Sequence, residues 1–266
     1  MIALQKIVIG KTPLEGNEAY SYSKGMRVIS ASLLEHGNEL QELWGNRDSA
    51  EFKKIAPVCT RIILEQSMAA LLGRIDPIRF VAIYKGSHSS DFKIGERNAS
   101  SFNWSKDAIP TDLKIKHGSY WTQDSLGKGI IRSILDGHVA DYVFTSAHEL
   151  AVAAITDATQ DKQKLPSWLI RFTQFDEKQS QAILNELRIK ASTAYSSLSK
   201  GIHFEFFGGD STKPEANDIT ESIRNAIIVI ATSGMYINFS DIALNKISDN
   251  EARDSFIDLV EFFLNE

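Results

Sequence analysis

Cysteine is almost absent from this chain of 266 residues. The single thiol, Cys59, excludes an internal disulfide and any zinc site built from several cysteines. Because Cys59 lies in an apolar run, we predict a buried structural thiol rather than a nucleophile. Proline is also scarce, and the six prolines fall mostly between the segments in which apolar residues recur at helical spacing.

An excess of positive charge is missing as well. The net charge is −5 and the pI is about 5.7, whereas proteins that coat nucleic acid are usually basic. Since no stretch of about 18 apolar residues is free of charge, we expect no membrane span. The start of the chain lacks the pattern of a cleaved signal peptide, so we expect a cytoplasmic protein.

Apolar residues recur at helical spacing along most of the chain. The predicted helices cover residues 17–43, 48–76, 122–160, 175–207, 219–240 and 250–265. We therefore predict a mainly α fold, a bundle of long antiparallel helices that forms one domain over residues 1–266. A linker at 207–217 is a candidate sub-boundary within that domain.

Three segments depart from the helical pattern. Residues 4–10 alternate briefly and fit a short strand or an ordered arm, and residues 78–87 fit either a strand or a continuing helix. Residues from about 86 to 120 are rich in Ser, Asn, Lys and Gly, which indicates an irregular insertion.

The helix predicted from Asp48 has a recognisable beginning. Asp48 and Glu51 stand at the spacing of a capping box. Pro57 lies inside the same segment, where it lacks the N–H that a helix needs, so we expect a kink or a break there.

The helix at 175–207 has two distinct faces. At 100° per residue, its core-facing side chains cluster within about 60° of one another. These are Leu184, Leu187, Ala191, Leu198 and Ile202. A polar row on the shoulder of that face consists of Arg188, Tyr195, Ser199 and His203.

The end of this helix, "AYSSLSKGIHFEFF" at 194–207, resembles the end of the second long helix in HEPN-type proteins. These are all-α proteins of prokaryotic toxins and anti-phage defence systems, in which an "LS…(V/I)H" ending is frequent. The resemblance implies two long helices packed side by side. Active members cut RNA with an Arg-x4–6-His motif that meets its copy across a dimer.

The arginine of that motif is absent here. Ser196, Ser197 and Leu198 occupy its positions. Arg188 precedes His203 by 15 residues, or about 22 Å along a helix at about 1.5 Å per residue. Lys200 is close enough to supply a cation but lacks the guanidinium fork. If the chain were a nuclease, His203 would be its acid or base, and Lys200 or Arg188 would hold phosphate.

The same histidine has a purely structural interpretation. In the last turn of a helix, His203 would complement the negative end of the helix dipole and cap free carbonyls. A binding role for the row that includes Tyr195 and Ser199 is a further alternative.

Four more charged candidates lie within or just after the helix predicted over 48–76. Arg61 and Glu65 stand at i, i+4 and suggest an ion pair, or alternatively a polar patch that faces the Tyr195–His203 row. Arg74 and Arg79 flank Asp76-Pro77, where we expect a helix end with surface salt bridges. Their alternative role is to bind a phosphate or a partner's carboxylate.

The insertion supplies the remaining candidate surface. Basic residues alternate there with aromatic ones, and Trp104 and Lys106 suggest binding of single-stranded nucleic acid. Aromatics that cover the core are the alternative. His138, Asp141 and His148 lack a matching ligand cluster, so we predict no metal site, and no motif indicates a cofactor.

Together these features favour a non-catalytic interaction or regulatory protein with a protein partner or a homo-oligomeric state. The resemblance implies a subunit or accessory component of a prokaryotic anti-phage defence or toxin–antitoxin system. The alternatives are a metal-independent ribonuclease of the HEPN type and a sensor of single-stranded nucleic acid.

Overall fold

A computed structural model describes residues 1–12, 20–89, 102, 134–135, 144–158, 180–202 and 215–264. Every regular element in these residues is a helix, which confirms the mainly α fold. The eight described helices are α1 (Ile2–Ile9), α2 (Ser21–Trp44), α3 (Ala50–Ile75), α4 (Pro77–Ser87), α5 (Thr145–Ala158), α6 (Ser180–Ile202), α7 (Ala216–Phe239) and α8 (Asp249–Leu264). The linker at 207–217 and the insertion at 86–120 lie largely outside the described residues.

Helices α3 and α7 form the centre of the fold. α3 packs against α1, α2, α4, α6 and α7, while α7 also contacts α1, α5, α6 and α8. From Ala226 to Phe239, every residue of α7 except Ile228 is buried. A helix that is buried on all sides is the one about which the others assemble.

The ends of the helices show how neighbouring helices run. The ring of Trp44, at the end of α2, packs 6.2 Å from that of Phe52, in the first turn of α3. At the opposite end, Tyr22 of α2 packs 5.7 Å from Phe80, just beyond α3. Helices α2 and α3 therefore run antiparallel, as predicted.

Local capping explains where α3 and α4 begin. The side chain of Ser49 accepts a hydrogen bond from the backbone N–H of Phe52 at 3.0 Å, so the cap lies one residue after the predicted Asp48. The carboxylate of Asp76 caps α4 by accepting from the N–H of Arg79 at 3.0 Å. Pro57 does not break α3, which is continuous from Ala50 to Ile75.

Two segments that permitted strands are helical. Residues 4–10 are predicted as a short strand or an ordered arm, but residues 2–9 form helix α1, whose face of Leu4, Ile7 and Val8 is fully buried. Residues 78–87 belong to α4, where Pro77 stands at the first helical position and favours a helix start. The alternative of short strands is therefore wrong for both segments.

Helix α3 is long and apolar enough, by length and composition, to cross a membrane. In this fold it is one of the two central helices, and 61% of its apolar window is buried within the protein. The core helix of a soluble domain passes the same test, so this property alone does not indicate a membrane span.

Candidate functional site

Polar side chains of α3 and α6 meet in one cluster, which we call the α3–α6 seam: Arg61, Glu65 and Tyr195. Arg61 donates from Nε to Oε1 of Glu65 at 3.1 Å and from Nη2 to the hydroxyl of Tyr195 at 2.9 Å. Its guanidinium carbon also lies 4.8 Å from the centroid of the Tyr195 ring. Ser199 donates its hydroxyl proton to the backbone carbonyl of Tyr195 at 2.7 Å.

Partial burial shapes the electrostatics of the seam. The side chains of Arg61 and Glu65 are 24% and 34% exposed. Burial opposes the charge on Arg61, but its hydrogen bond to Glu65 and the adjacent Tyr195 raise its pKa overall. Burial, with the nearby Glu65 carboxylate, raises the pKa of Tyr195. The seam therefore holds a closed ion pair beside a protonated phenol at neutral pH.

Two predictions about these helices are confirmed. Arg61 and Glu65 form the expected i, i+4 ion pair, and Arg61 also faces Tyr195 on α6. The core-facing residues of α6 with described burial are all buried: Leu184, Leu187, Ala191 and Leu198. The tyrosine of the polar row lies on the shoulder of that face, partly exposed.

The residues proposed for ribonuclease chemistry do not form one group in the described chain. Arg188 donates from Nε to the carbonyl of Leu135 and from Nη1 to Oδ1 of Asn185 at 3.2 Å. Lys200 is exposed, twelve residues further along α6, which is about 18 Å at about 1.5 Å per residue. His203 lies outside the described residues.

Arg74 is placed differently from the prediction. Its side chain is fully buried, and it donates to the carbonyls of Ile7 and Leu244, both at 3.1 Å, and to Oδ1 of Asn238 at 3.0 Å. The expected surface salt bridge is wrong because three other segments pack over this end of α3. Buried in this way, Arg74 cannot reach a phosphate outside the protein.

Arg79 does not join Arg74 in a shared cationic site. Burial lowers the pKa of Arg79, and the charge of Asp76 opposes that effect. Arg79 lies in the first turn of α4 and is partly exposed, whereas the side chain of Arg74 is buried in the core. The proposed pair of arginines at one helix end is therefore divided between surface and interior.

Two polar contacts were not anticipated from the sequence. Asn238, near the end of α7, accepts from Arg74 and from the N–H of Ile247 at 3.1 Å. His148 of α5 is buried, and its Nδ1 lies 2.8 Å from the hydroxyl of Tyr236. The only sign of such a buried contact in the sequence is a single Asn or His within an apolar helix.

The remaining candidate residues give no further site. Within the described chain, no group of three His, Cys, Asp or Glu side chains is arranged to bind a metal ion. Trp104, Lys106, His138 and Asp141 lie outside the described residues. Cys59 is buried, as predicted.

Comparisons with protein-family models, curated proteins and solved structures give no match to this chain.

Proposed function

We propose that this chain is a non-catalytic interaction or regulatory protein that works in the cytoplasm with a protein partner or as an oligomer. The closed geometry of the α3–α6 seam supports this proposal. Cleavage of a phosphodiester needs a cation placed to stabilise charge on the phosphate. Arg61, the guanidinium that contacts the polar row of α6, is already bound by Glu65 and Tyr195.

The second arginine considered for such chemistry is also engaged. Arg188 is held by the carbonyl of Leu135 and the side chain of Asn185. Recruiting either arginine to a phosphate would break hydrogen bonds within the protein. This cost argues against a phosphate site built on an arginine, and the other candidate cation, Lys200, lacks the guanidinium fork. Both points favour interaction over catalysis.

The biological setting follows from the resemblance of residues 194–207 to HEPN-type proteins. On that basis we propose an accessory component or subunit of a prokaryotic anti-phage defence or toxin–antitoxin system. The partner would be another protein of that system or a second copy of this chain.

A metal-free cleavage assay tests the proposal against its main alternative. The purified chain is incubated with fluorescent single-stranded RNA in the presence of EDTA, beside the His203→Ala variant. We expect no cleavage by either protein. Cleavage by the wild-type chain that His203→Ala abolishes, with the circular dichroism spectrum unchanged, would establish a ribonuclease and overturn the proposal.

Two binding measurements complete the test. Co-expression with the products of adjacent genes, followed by size-exclusion chromatography, should give a stable complex or a homo-oligomer. Binding to single-stranded DNA that weakens with salt and is lost in a Trp104→Ala, Lys106→Ala double variant would instead favour the nucleic-acid sensor.

A further inference from the structure

A groove on the surface lies where α1, α2 and α8 meet, and we call it the α1–α8 groove. Its volume is about 260 Å³, and the lining residues used below are Ile2, Gln41, Asp258, Leu259, Phe262 and Phe263. Two of its apolar side chains face solvent, since Ile2 is 64% exposed and Phe262 is 38% exposed. Exposed apolar groups beside one another mark contact surfaces more often than isolated ones do.

The floor of the groove is firmly packed. Leu259 and Phe263 are buried, and the ring of Phe263 lies 5.0 Å from that of Trp44 in an edge-on arrangement. The backbone carbonyl of Phe263 also accepts a hydrogen bond from Nε of Arg224 at 3.1 Å. A partner that enters this groove meets a surface that is already in place, which lowers the entropic cost of binding.

The size of the groove limits the group that can fill it. Pockets for small molecules usually enclose about 300–1,000 Å³. At about 260 Å³, the α1–α8 groove lies near the lower end of this range. It is suited to one or two apolar side chains that anchor a larger partner.

The charge around the groove selects the partner further. Asp258 lines the groove, and Glu261 is exposed on the next turn of α8. Neither carboxylate forms an ion pair with another described residue, whereas Asp254 on the same helix is paired with Arg253 at 2.7 Å. The N-terminal ammonium of Met1 also lines the groove, where it donates to Oε1 of Gln41 at 3.1 Å. Two carboxylates and one ammonium leave the rim of the groove net negative, which complements an apolar segment that carries Lys or Arg.

We propose that the α1–α8 groove binds a basic amphipathic helix of a partner protein, with a bulky apolar side chain inserted between Ile2 and Phe262. Asp258 and Glu261 would contact the Lys or Arg residues that flank this anchor. Helices that present apolar anchors to a groove are a common form of recognition. The inference deepens the proposed interaction function and rests on it.

Fluorescence anisotropy with a labelled amphipathic peptide of leucine and lysine tests the groove. We expect the peptide to bind the full chain, and a matched leucine–glutamate peptide to bind at least about tenfold more weakly. Asp258→Lys and Ile2→Ser should each weaken binding of the basic peptide by about tenfold. Glu149→Lys and Ile78→Ser are the controls, because they change similarly exposed residues on α5 and α4.

Three outcomes would overturn the inference. The first is absence of binding by the basic peptide, and the second is equal weakening by the groove variants and their controls. The third is self-association of the wild-type chain in sedimentation velocity that Ile2→Ser abolishes, because the occupant would then be a second copy. The RNA-cleavage assay reports separately on the proposed function, so failure of one is distinguishable from failure of the other.

Discussion

Arg74 donates a hydrogen bond from Nη2 to the side-chain oxygen of Asn238 at 3.0 Å, in the interior of the protein. Its other donors bind the carbonyls of Ile7 and Leu244. The carbonyls in the last turn of a helix lack partners within that helix, and they lie at the negative end of its dipole. Arg74 therefore joins the end of α1 to α3, α7 and the α7–α8 connection without a carboxylate.

Replacing Arg74 by methionine should destabilise the protein strongly. The substitution keeps an apolar stem but leaves several buried oxygen atoms without donors. We expect the free energy of unfolding to fall by about 3–5 kcal/mol, a large part of the total for a domain. Urea unfolding followed by circular dichroism measures this change.

The matched control is Arg253→Met on α8, since that guanidinium is partly exposed and paired with Asp254. An exposed ion pair contributes about 1 kcal/mol or less, so this variant should unfold near the wild-type midpoint. Equal effects of the two substitutions would show that the buried contacts of Arg74 do not stabilise the fold.

Gly10→Ala should destabilise the contact between the end of α1 and the α7–α8 connection, because the backbone leaves no room for a Cβ there. Gly10 has a φ of 74°, and an added Cβ would lie 1.8 Å from the carbonyl oxygen of Asn245. Because the clash is with backbone and not with a flexible side chain, we expect a loss of about 2–4 kcal/mol or failure to fold. Thermal unfolding of the purified variant measures the loss.

Gly45 provides the comparison for that experiment. Its φ is −69°, and the nearest atom to an added Cβ, the carbonyl oxygen of Glu42, is 3.8 Å away. Gly45→Ala should leave stability within about 1 kcal/mol of the wild type. If Gly10→Ala is as stable as Gly45→Ala, the close approach of Gly10 to the α7–α8 connection is wrong.

Arg61 and Tyr195 should be energetically coupled. Arg61→Gln and Tyr195→Phe each remove the hydrogen bond between them, and the first also removes the cation from the ring face. A double-mutant cycle should give a coupling of about 0.5–1 kcal/mol, since the pair is partly exposed. Urea unfolding of the four proteins provides the values, and additive effects would contradict the contact.

The pH dependence of this pair has a definite sign. Because burial and the Glu65 carboxylate raise the pKa of Tyr195, the folded protein retains the phenolic proton at a pH where the unfolded chain loses it. The protonated Tyr195 phenol therefore contributes to the free energy of unfolding below about pH 10, and this contribution decreases above that pH. Wild-type stability should therefore fall more steeply than that of Tyr195→Phe above this pH.

The sequence predicted those features that depend on local spacing. Helical periodicity identified the core face of α6, and the i, i+4 rule identified the Arg61–Glu65 pair. The contact from Arg61 to Tyr195 joins residues 134 positions apart. Its only advance indication was the side-by-side packing of long helices that the HEPN resemblance implies.

The position of Arg74 shows why local patterns do not determine burial. A charged residue before Asp76-Pro77 is typical of a solvent-exposed helix end. It becomes buried because α1 and the α7–α8 connection cover it, and both contacts come from segments far away in the chain. The prediction of a strand or an ordered arm for residues 4–10 is wrong for a similar reason, since the spacing within a short apolar run does not separate a strand from a helix that is buried by its neighbours.

The reactivity of the Cys59 thiol provides a chemical test of its burial. The thiol donates to Oε2 of Glu39 at 3.2 Å, and burial, with this hydrogen bond and charge, raises its pKa to about 12. Because the thiolate is the reactive form, iodoacetamide should modify the native protein at least about a hundredfold more slowly than the urea-unfolded chain at about pH 8.5.

A variant of Glu39 separates the effect of burial from that of charge. Glu39→Gln removes the negative charge beside the thiol, so the alkylation of the native protein should become faster while remaining slower than that of the unfolded chain.

The pH dependence of stability provides a second measurement. The folded protein keeps its thiol proton above the pKa of the unfolded chain, so the stability of the wild type should decrease relative to that of Cys59→Ala as the pH rises above about 9. Equal alkylation of native and unfolded protein would show that Cys59 is accessible, which would contradict the packing of α2 against α3.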